Sequence, residues 1–208
     1  LIVGNDVIGT LGLDWVEPRQ FTADELELVE TIANQASVAI TKARLYVAER
    51  EQRVLAEALG HVASLSNRSL ALDDLYDELL ESIRRVIAYD AGNILLFEGD
   101  VGEVVRHTGY DRYSQGEKPA WMRLTPDQVP HWSRLYAGGH PQPYIIADTH
   151  ADPEWADIEG ANWIRCALKA PISIENRVIG LLNLDSATPN SFTQRDAERL
   201  QAFADQVA

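Results

Sequence analysis

Asn176-Arg177-Val178-Ile179-Gly180-Leu181-Leu182-Asn183-Leu184-Asp185 restates a line from the start of the chain, Asn5-Asp6-Val7-Ile8-Gly9-Thr10-Leu11-Gly12-Leu13-Asp14. The correspondence continues without a gap. Pro18 falls on Pro189, Phe21-Thr22 on Phe192-Thr193, Glu27 on Glu198, Ala33 on Ala204 and Gln35 on Gln206. An ungapped match of this length marks an internal repeat. Leu1–Ile40 therefore reads as the closing part of one domain, and Ile172–Ala208 as the same part of a second copy. A chain that opens at Leu1, inside a strand, is expected to be a fragment whose first copy lacks its beginning.

Running out of the first copy, Thr22 to Asn67 contains no proline, and Gly60 is its only glycine. Val29, Ile32, Ala36, Ala39, Ala43 and Tyr46, then Val54, Ala58, Val62 and Leu65, recur at helical spacing on one face. Thr22 and Glu25 form a capping box at its start. At ~1.5 Å per residue the stretch predicts a rod of roughly 70 Å. The alternative is two helices broken near Arg50–Arg53, where the apolar stripe lapses. A rod that cannot bury its stripe in one small domain is expected to pair with a second copy. The small residues Ala36, Ala39 and Ala43 would allow close approach, so a homodimer through Thr22–Asn67 is expected.

The second copy begins with an amphipathic helix through Leu72, Leu75, Leu79, Ile83, Val86 and Ile87, with Asp73 and Asp74 at its favourable end. Asn93–Glu98 and Val101–His107 read as a hairpin. Tyr110–Leu124 reads as an irregular loop. Thr125 and Gln128 form a capping box for a short helix ending at Gly138-Gly139, Tyr144–Ala147 reads as a strand, and Asp152 caps another short helix through about Trp163. Arg165–Ile174 and Arg177–Leu184 close the domain as a hairpin, with one face expected in the core. The order predicts an α+β domain, an antiparallel sheet with a helical layer.

Composition narrows the functions. The chain has 208 residues, a net charge of -14, 46% hydrophobic and 24% charged residues, the profile of a soluble globular protein. The acidic balance disfavours nucleic acid and anionic lipid surfaces as partners. No apolar run is long enough to span a membrane, and no signal-peptide pattern opens the chain. Cys166 is the only cysteine, which excludes an intrachain disulfide and fits a cytoplasmic setting. Asp148, His150 and Asp152 alternate, with His131 and His140 upstream, but loop capping explains them without a metal. No glycine-rich phosphate loop or serine-centred nucleophile motif is present.

At the repeated block the chain resembles a GAF domain. Ala91–Phe97 is similar to the family's first strand. Ile145-Ile146-Ala147-Asp148-Thr149 before Asp152-Pro153 is similar to its middle strand and loop. Ala167–Ile174, Asn176–Asp185 and Phe192-Thr193 are similar to its closing hairpin and helix start. The resemblance implies a PAS/GAF-like antiparallel sheet preceded by a long signalling helix. Residues 1–47 would be the C-terminal part of a first GAF domain, 48–67 a helical linker and 68–208 a second GAF domain. It implies a non-catalytic sensory module, of the kind found upstream of histidine kinases, diguanylate cyclases and phosphatases. A constitutive dimerisation spacer without ligand is the alternative. The family's Asn-Lys, Phe, Asp-Glu motif corresponds to Asn176, Arg177, Phe192 and Asp196. This implies a structural Arg177–Asp196 ion pair and gives little support to cyclic nucleotides.

For a ligand of unknown identity, the aromatic-rich excursion supplies Tyr110, Trp121, Trp132, Trp155 and Trp163, with Arg134 and Arg165. Together they would suit a flat, anionic small molecule. The same aromatics can equally fill the core beneath the loops. Covalent bilin attachment, which in the family places histidine after the cysteine, does not suit Cys166-Ala167. The GAF-fold sulfoxide reductases use several cysteines, so Cys166 reads as a buried structural residue.

Overall fold

The computed structural model describes residues 1–66, 72–99, 101–113, 122–125, 128–136, 140–155 and 158–208. The chain divides into two compact units, Leu1–Arg53 and Val54–Ala208, with the division inside one helix. That helix, α1 (Ala23–Ser66), runs 44 residues without a break. The charged stretch at Arg50–Arg53 therefore does not interrupt it. No proline intervenes, and the Glu and Arg residues there have high helix propensity.

In the first unit, β1 (Ile2–Val3) and β2 (Asp6–Val7) pair antiparallel, Ile2 opposite Val7. The second strand is much shorter than the predicted Val7–Leu13. Leu11 and Leu13 are exposed, and a lone two-stranded ladder has no apolar surface against which to extend. The predicted cap is present: the Thr22 amide donates to the Glu25 carboxylate at 2.9 Å, and the Glu25 amide donates to Thr22 Oγ1 at 3.3 Å. Arg19 places its guanidinium 4.6 Å from the Trp15 ring and 5.2 Å from the Phe21 ring, and pairs with Glu25. Leu26, Leu28, Ile32, Val38, Leu45 and Tyr46 of α1 are all exposed.

The second unit is built on a six-stranded antiparallel sheet. Its strands are β3 (Ala91–Glu98), β4 (Val101–Thr108), β5 (Arg123–Leu124), β6 (Tyr144–Ile146), β7 (Cys166–Ile174) and β8 (Arg177–Ser186), in the order β5-β4-β3-β8-β7-β6. The turn joining β7 to β8 places Glu175 and Asn176 at φ 50° and 68°, the left-handed pair that matches strand twist in a two-residue hairpin. One sheet face carries α2 (Leu72–Arg84) and α3 (Gln194–Val207). Leu79, Ile83, Leu200 and Phe203 pack there with Ala58 and Val62 from the end of α1. The other face lies beneath loops and a short 3-10 helix, Pro130–Tyr136, which contributes Trp132 and Leu135 to a second core with Leu95, Tyr110 and Leu181.

The closing hairpin is therefore buried on both faces, not on one. Ile172, Leu182 and Leu184 face the helical core and Leu181 the loop-side core, while Ile174 near the turn is 46% exposed. Cys166 is fully buried in the helical core.

Three further expectations change. The Arg177–Asp196 ion pair is not formed among the described residues. Arg177 opens β8, nine residues before its end at Ser186, so the strand carries it ~30 Å from the loop leading to α3. Asp196 instead closes a capping box with Thr193 and lies 3.8 Å from Arg199. Asn176 sits in the turn and Phe192 in the helical core. Asp152 to Trp163 forms turns at its described positions, where a short helix was expected. The Asp152 carboxylate accepts from the Glu154 amide at 2.9 Å, and successive backbone bonds close tight turns. Finally, Tyr110–Leu124 contains a 3-10 turn at Tyr110–Arg112 and the edge strand β5, which pairs with β4. Gly138-Gly139 lies outside the described residues.

Candidate functional site

Strand register assembles the site. Lys169 on β7, Asn183 on β8 and Asn93 on β3 are directly opposite one another, so three polar side chains form one row across the sheet. Period-two alternation puts this row on the loop-covered face, whereas Leu182 and Leu184 point to the helices. The next row holds Asp185, flanked by Ala167 and Ala91. These small neighbours leave space over Asp185, into which Tyr110 reaches.

The row is hydrogen-bonded throughout. Lys169 Nζ donates to Asn183 Oδ1 at 3.2 Å, Asn183 Nδ2 to Asn93 Oδ1 at 2.7 Å, and Asn93 Nδ2 to the Tyr110 hydroxyl at 2.7 Å. The Tyr110 hydroxyl in turn donates to Asp185 Oδ2. Asp185 Oδ1 is buried with no hydrogen-bond partner. An orphaned buried acceptor of this kind costs about 1–3 kcal/mol.

These groups open onto a cavity of about 60 Å³. Its polar wall is Lys169, Asn183 and Asp185, and its aromatic wall is Tyr110, Trp132 and Trp155. Aliphatic residues from β3, β5 and the loops, including Leu95, Leu124 and Ile164, complete it. The volume exceeds the ~10–15 Å³ that a single water needs and falls short of the ~150 Å³ that holds a benzene.

Electrostatics follow from burial. Lys169 is 9% exposed and Asp185 3%. Desolvation pushes the Lys169 ammonium below the ordinary lysine value, opposed by the charge of Asp185. Desolvation pushes Asp185 above the ordinary carboxylate value, opposed by Lys169 and by the Tyr110 hydroxyl. Tyr110 is driven well up by burial, then by the neighbouring Asp185 charge. Lys169 Nζ also stands 5.7 Å from the centre of the Trp155 ring.

Of the residues expected to bind ligand, Tyr110, Trp132 and Trp155 line this cavity. Trp163 stacks flat on Tyr113 at 3.7 Å and meets Tyr110 edge-on at 5.9 Å. The two arginines are engaged in ion pairs apart from the cavity lining. Arg134 forks onto Asp152 at 2.6 and 2.9 Å and reaches Glu154 at 2.7 Å. Arg165 grips Asp148 at 3.0 and 3.1 Å and holds that carboxyl below its usual range. Trp121 lies outside the described residues. Lys169, Asn183, Asp185 and Asn93 were missed. Their signal was available: Asn183 and Asp185 alternate with Leu182 and Leu184 in the buried half of the strand.

Cys166 belongs to the helical core, on the sheet face opposite the cavity. Among the described residues, no group of histidine, cysteine and carboxylate side chains could hold a metal ion. Asp148 and Asp152 serve the arginines, and a ring nitrogen of His150 lies 3.2 Å from the Asn162 carbonyl. Among the same residues, no helix is long and apolar enough to cross a membrane.

Comparison with known proteins places the fold. The anaerobic nitric oxide reductase transcription regulator NorR from two strains of Vibrio vulnificus is 24% identical over 144 residues, 68% of this chain and 27% of each regulator. The chain thus spans only about a quarter of those relatives. Among solved structures, the phycocyanobilin-bound GAF domain of a cyanobacterial phytochrome superposes with a TM-score of 0.59 at 18% identity, over 74% of this chain and 91% of that one. The Nlh2 GAF domain of A. aeolicus in an inactive state gives 0.58 at 11% identity, over 76% and 94%. The free methionine-R-sulfoxide reductase of Neisseria meningitidis, in complex with its substrate, gives 0.57 at 17%, over 74% and 85%. At these identities the likeness shows the fold. The GAF domain family model matches residues 1–40 and 71–208, and the chain belongs to the GAF domain family.

Proposed function

We propose that the chain is a non-catalytic sensory and regulatory module of a bacterial-type signal-transduction protein, binding a small molecule in the Val54–Ala208 unit and transmitting the event through α1. The cavity carries this reading: a buried cation and a buried carboxylate with one orphaned oxygen are expensive in an empty core and useful in a receptor. The transmission route is supported by strand alternation. Asn183 and Asp185 line or flank the cavity, while Leu182 and Leu184 between them pack into the core that holds Ala58 and Val62 of α1. Work in the cytoplasm fits the single cysteine.

Residues 1–47 act in this reading as the end of a first GAF domain, 48–67 as linker and 68–208 as a second GAF domain. The two segments matched by the family model support that division. Exposed Ile32, Val38, Leu45 and Tyr46 support a homodimer through α1. Glutamate at Ala36 and Ala43 should yield monomers in sedimentation while leaving the second domain folded. The exposed helix also favours a second reading, a constitutive dimerisation spacer. Native mass spectrometry of protein purified from its own host separates the two. A bound small molecule supports the sensor, and protein of unadorned mass with unchanged α1 hydrogen exchange supports the spacer. Turnover of any candidate ligand would overturn the non-catalytic assignment.

A further inference from the structure

We propose that the cavity selects a compact zwitterion, a small amino acid or close analogue, whose carboxylate is received by Lys169 and whose ammonium is received by Asp185 Oδ1. This rests on the cavity being the sensory site. The two groups line the same cavity from adjacent strands and rows of the sheet. Lys169 spends one N–H on Asn183, and its ammonium has three donors in all. Asp185 has Oδ2 occupied by Tyr110 and Oδ1 without a partner. Among the described residues the two make no ion-pair contact with each other.

Charge arithmetic then selects the ligand. A plain anion would satisfy Lys169 but bring a like charge towards Asp185. A plain cation would satisfy Asp185 but oppose Lys169. Only a molecule bearing both charges satisfies both and offsets the desolvation that disfavours each ionised form. The cavity of about 60 Å³ and its aliphatic and indole walls restrict the body between the charges to a few non-hydrogen atoms. Asn183, held on both sides by Lys169 and Asn93, fixes the position of the lysine head.

The test is calorimetric titration of the unaltered chain with glycine, L-alanine, β-alanine and L-serine, against acetate and ethylammonium as half-ligands. At least one amino acid should bind more tightly than either half-ligand by about tenfold or more. Each charged hydrogen bond is strong enough for a ten- to roughly hundredfold effect. Lys169→Met and Asp185→Asn should each weaken binding by about that factor, whereas Arg165→Met should leave it unchanged. Acetate binding as tightly as the amino acids overturns the proposal, as does the absence of amino-acid binding at millimolar concentration. These readings need no variant to fold. Native mass spectrometry from the host separates the remaining cases. A bound ligand that is not a zwitterion sinks this ligand class and leaves the sensor standing. No bound ligand together with no titration signal removes both.

Discussion

Gly109→Ala tests the link that joins the sheet to the cavity. Gly109 follows β4 with φ +86°, and a Cβ built there would lie 2.2 Å from the Asp90 carbonyl oxygen and 2.9 Å from Ala91 Cα. A left-handed alanine costs ~1–2 kcal/mol in backbone strain alone. The steric conflict adds to this, because the opposing atoms are backbone. The Asp90 amide donates to the Asp185 carbonyl at 3.0 Å, and Asp90 Oδ2 accepts from the Ala187 amide at 2.8 Å. Moving Asp90 therefore disturbs β8 at Asp185. Overpacking of this kind typically costs ~1–3 kcal/mol, for a total of roughly 2–5 kcal/mol. Gly99→Ala is the control: its φ is +63°, and nothing lies within 4 Å of its Cβ position, so only the ~1–2 kcal/mol strain applies. Urea unfolding of both variants, followed by tryptophan emission, gives the difference from the midpoints at common m. Equal losses for the two glycines would falsify the close approach of β4 to Asp90. A Gly109→Ala protein of parental stability would refute the left-handed geometry as well.

Three further outcomes are expected. Leu182→Ala, fully buried on the helical side of β8, should cost ~2–5 kcal/mol in urea unfolding, whereas the exposed Ile174→Ala should stay below about 1 kcal/mol. Thr193→Ala should lose ~1 kcal/mol with its cap, while Arg177→Ala should change stability by no more than about 0.5 kcal/mol; the reverse ranking would restore the discarded ion pair. Tyr89, whose hydroxyl donates to the Leu80 carbonyl at 2.8 Å, is pushed from 10.0 up to about 12, chiefly by burial. A folded value above the unfolded one means stability fully present below pH 10 and lost as pH rises through about 12. Ultraviolet titration should show a late-ionising tyrosine that disappears in Tyr89→Phe.

Much of the fold was legible because it is written in periodic patterns. The stripe along α1, the cap at Thr22 and the repeated closing hairpin each carry a local signal that tertiary context did not override. The edge strand β5 was not legible, since two paired residues make no period. The Arg177–Asp196 pair failed because proximity of motifs along the chain says nothing about the length of strand between them.

The candidate site divides on a different principle. Arg134 and Arg165 were natural choices for an anion, yet carboxylates 17 and 18 positions away neutralise them, a tertiary fact with no sequence period. Lys169 and Asp185 drew no notice because each sits in a strand that had to supply core. That placement is the signal. In a strand covered on both faces, every alternate side chain must be apolar or satisfied, so Asn183 and Asp185 between Leu182 and Leu184 demand partners. Asn183 finds them across the sheet. Asp185 finds one for Oδ2 and none for Oδ1. The informative charge in this chain is thus the one whose burial its neighbours only half explain, and the unexplained half faces the cavity.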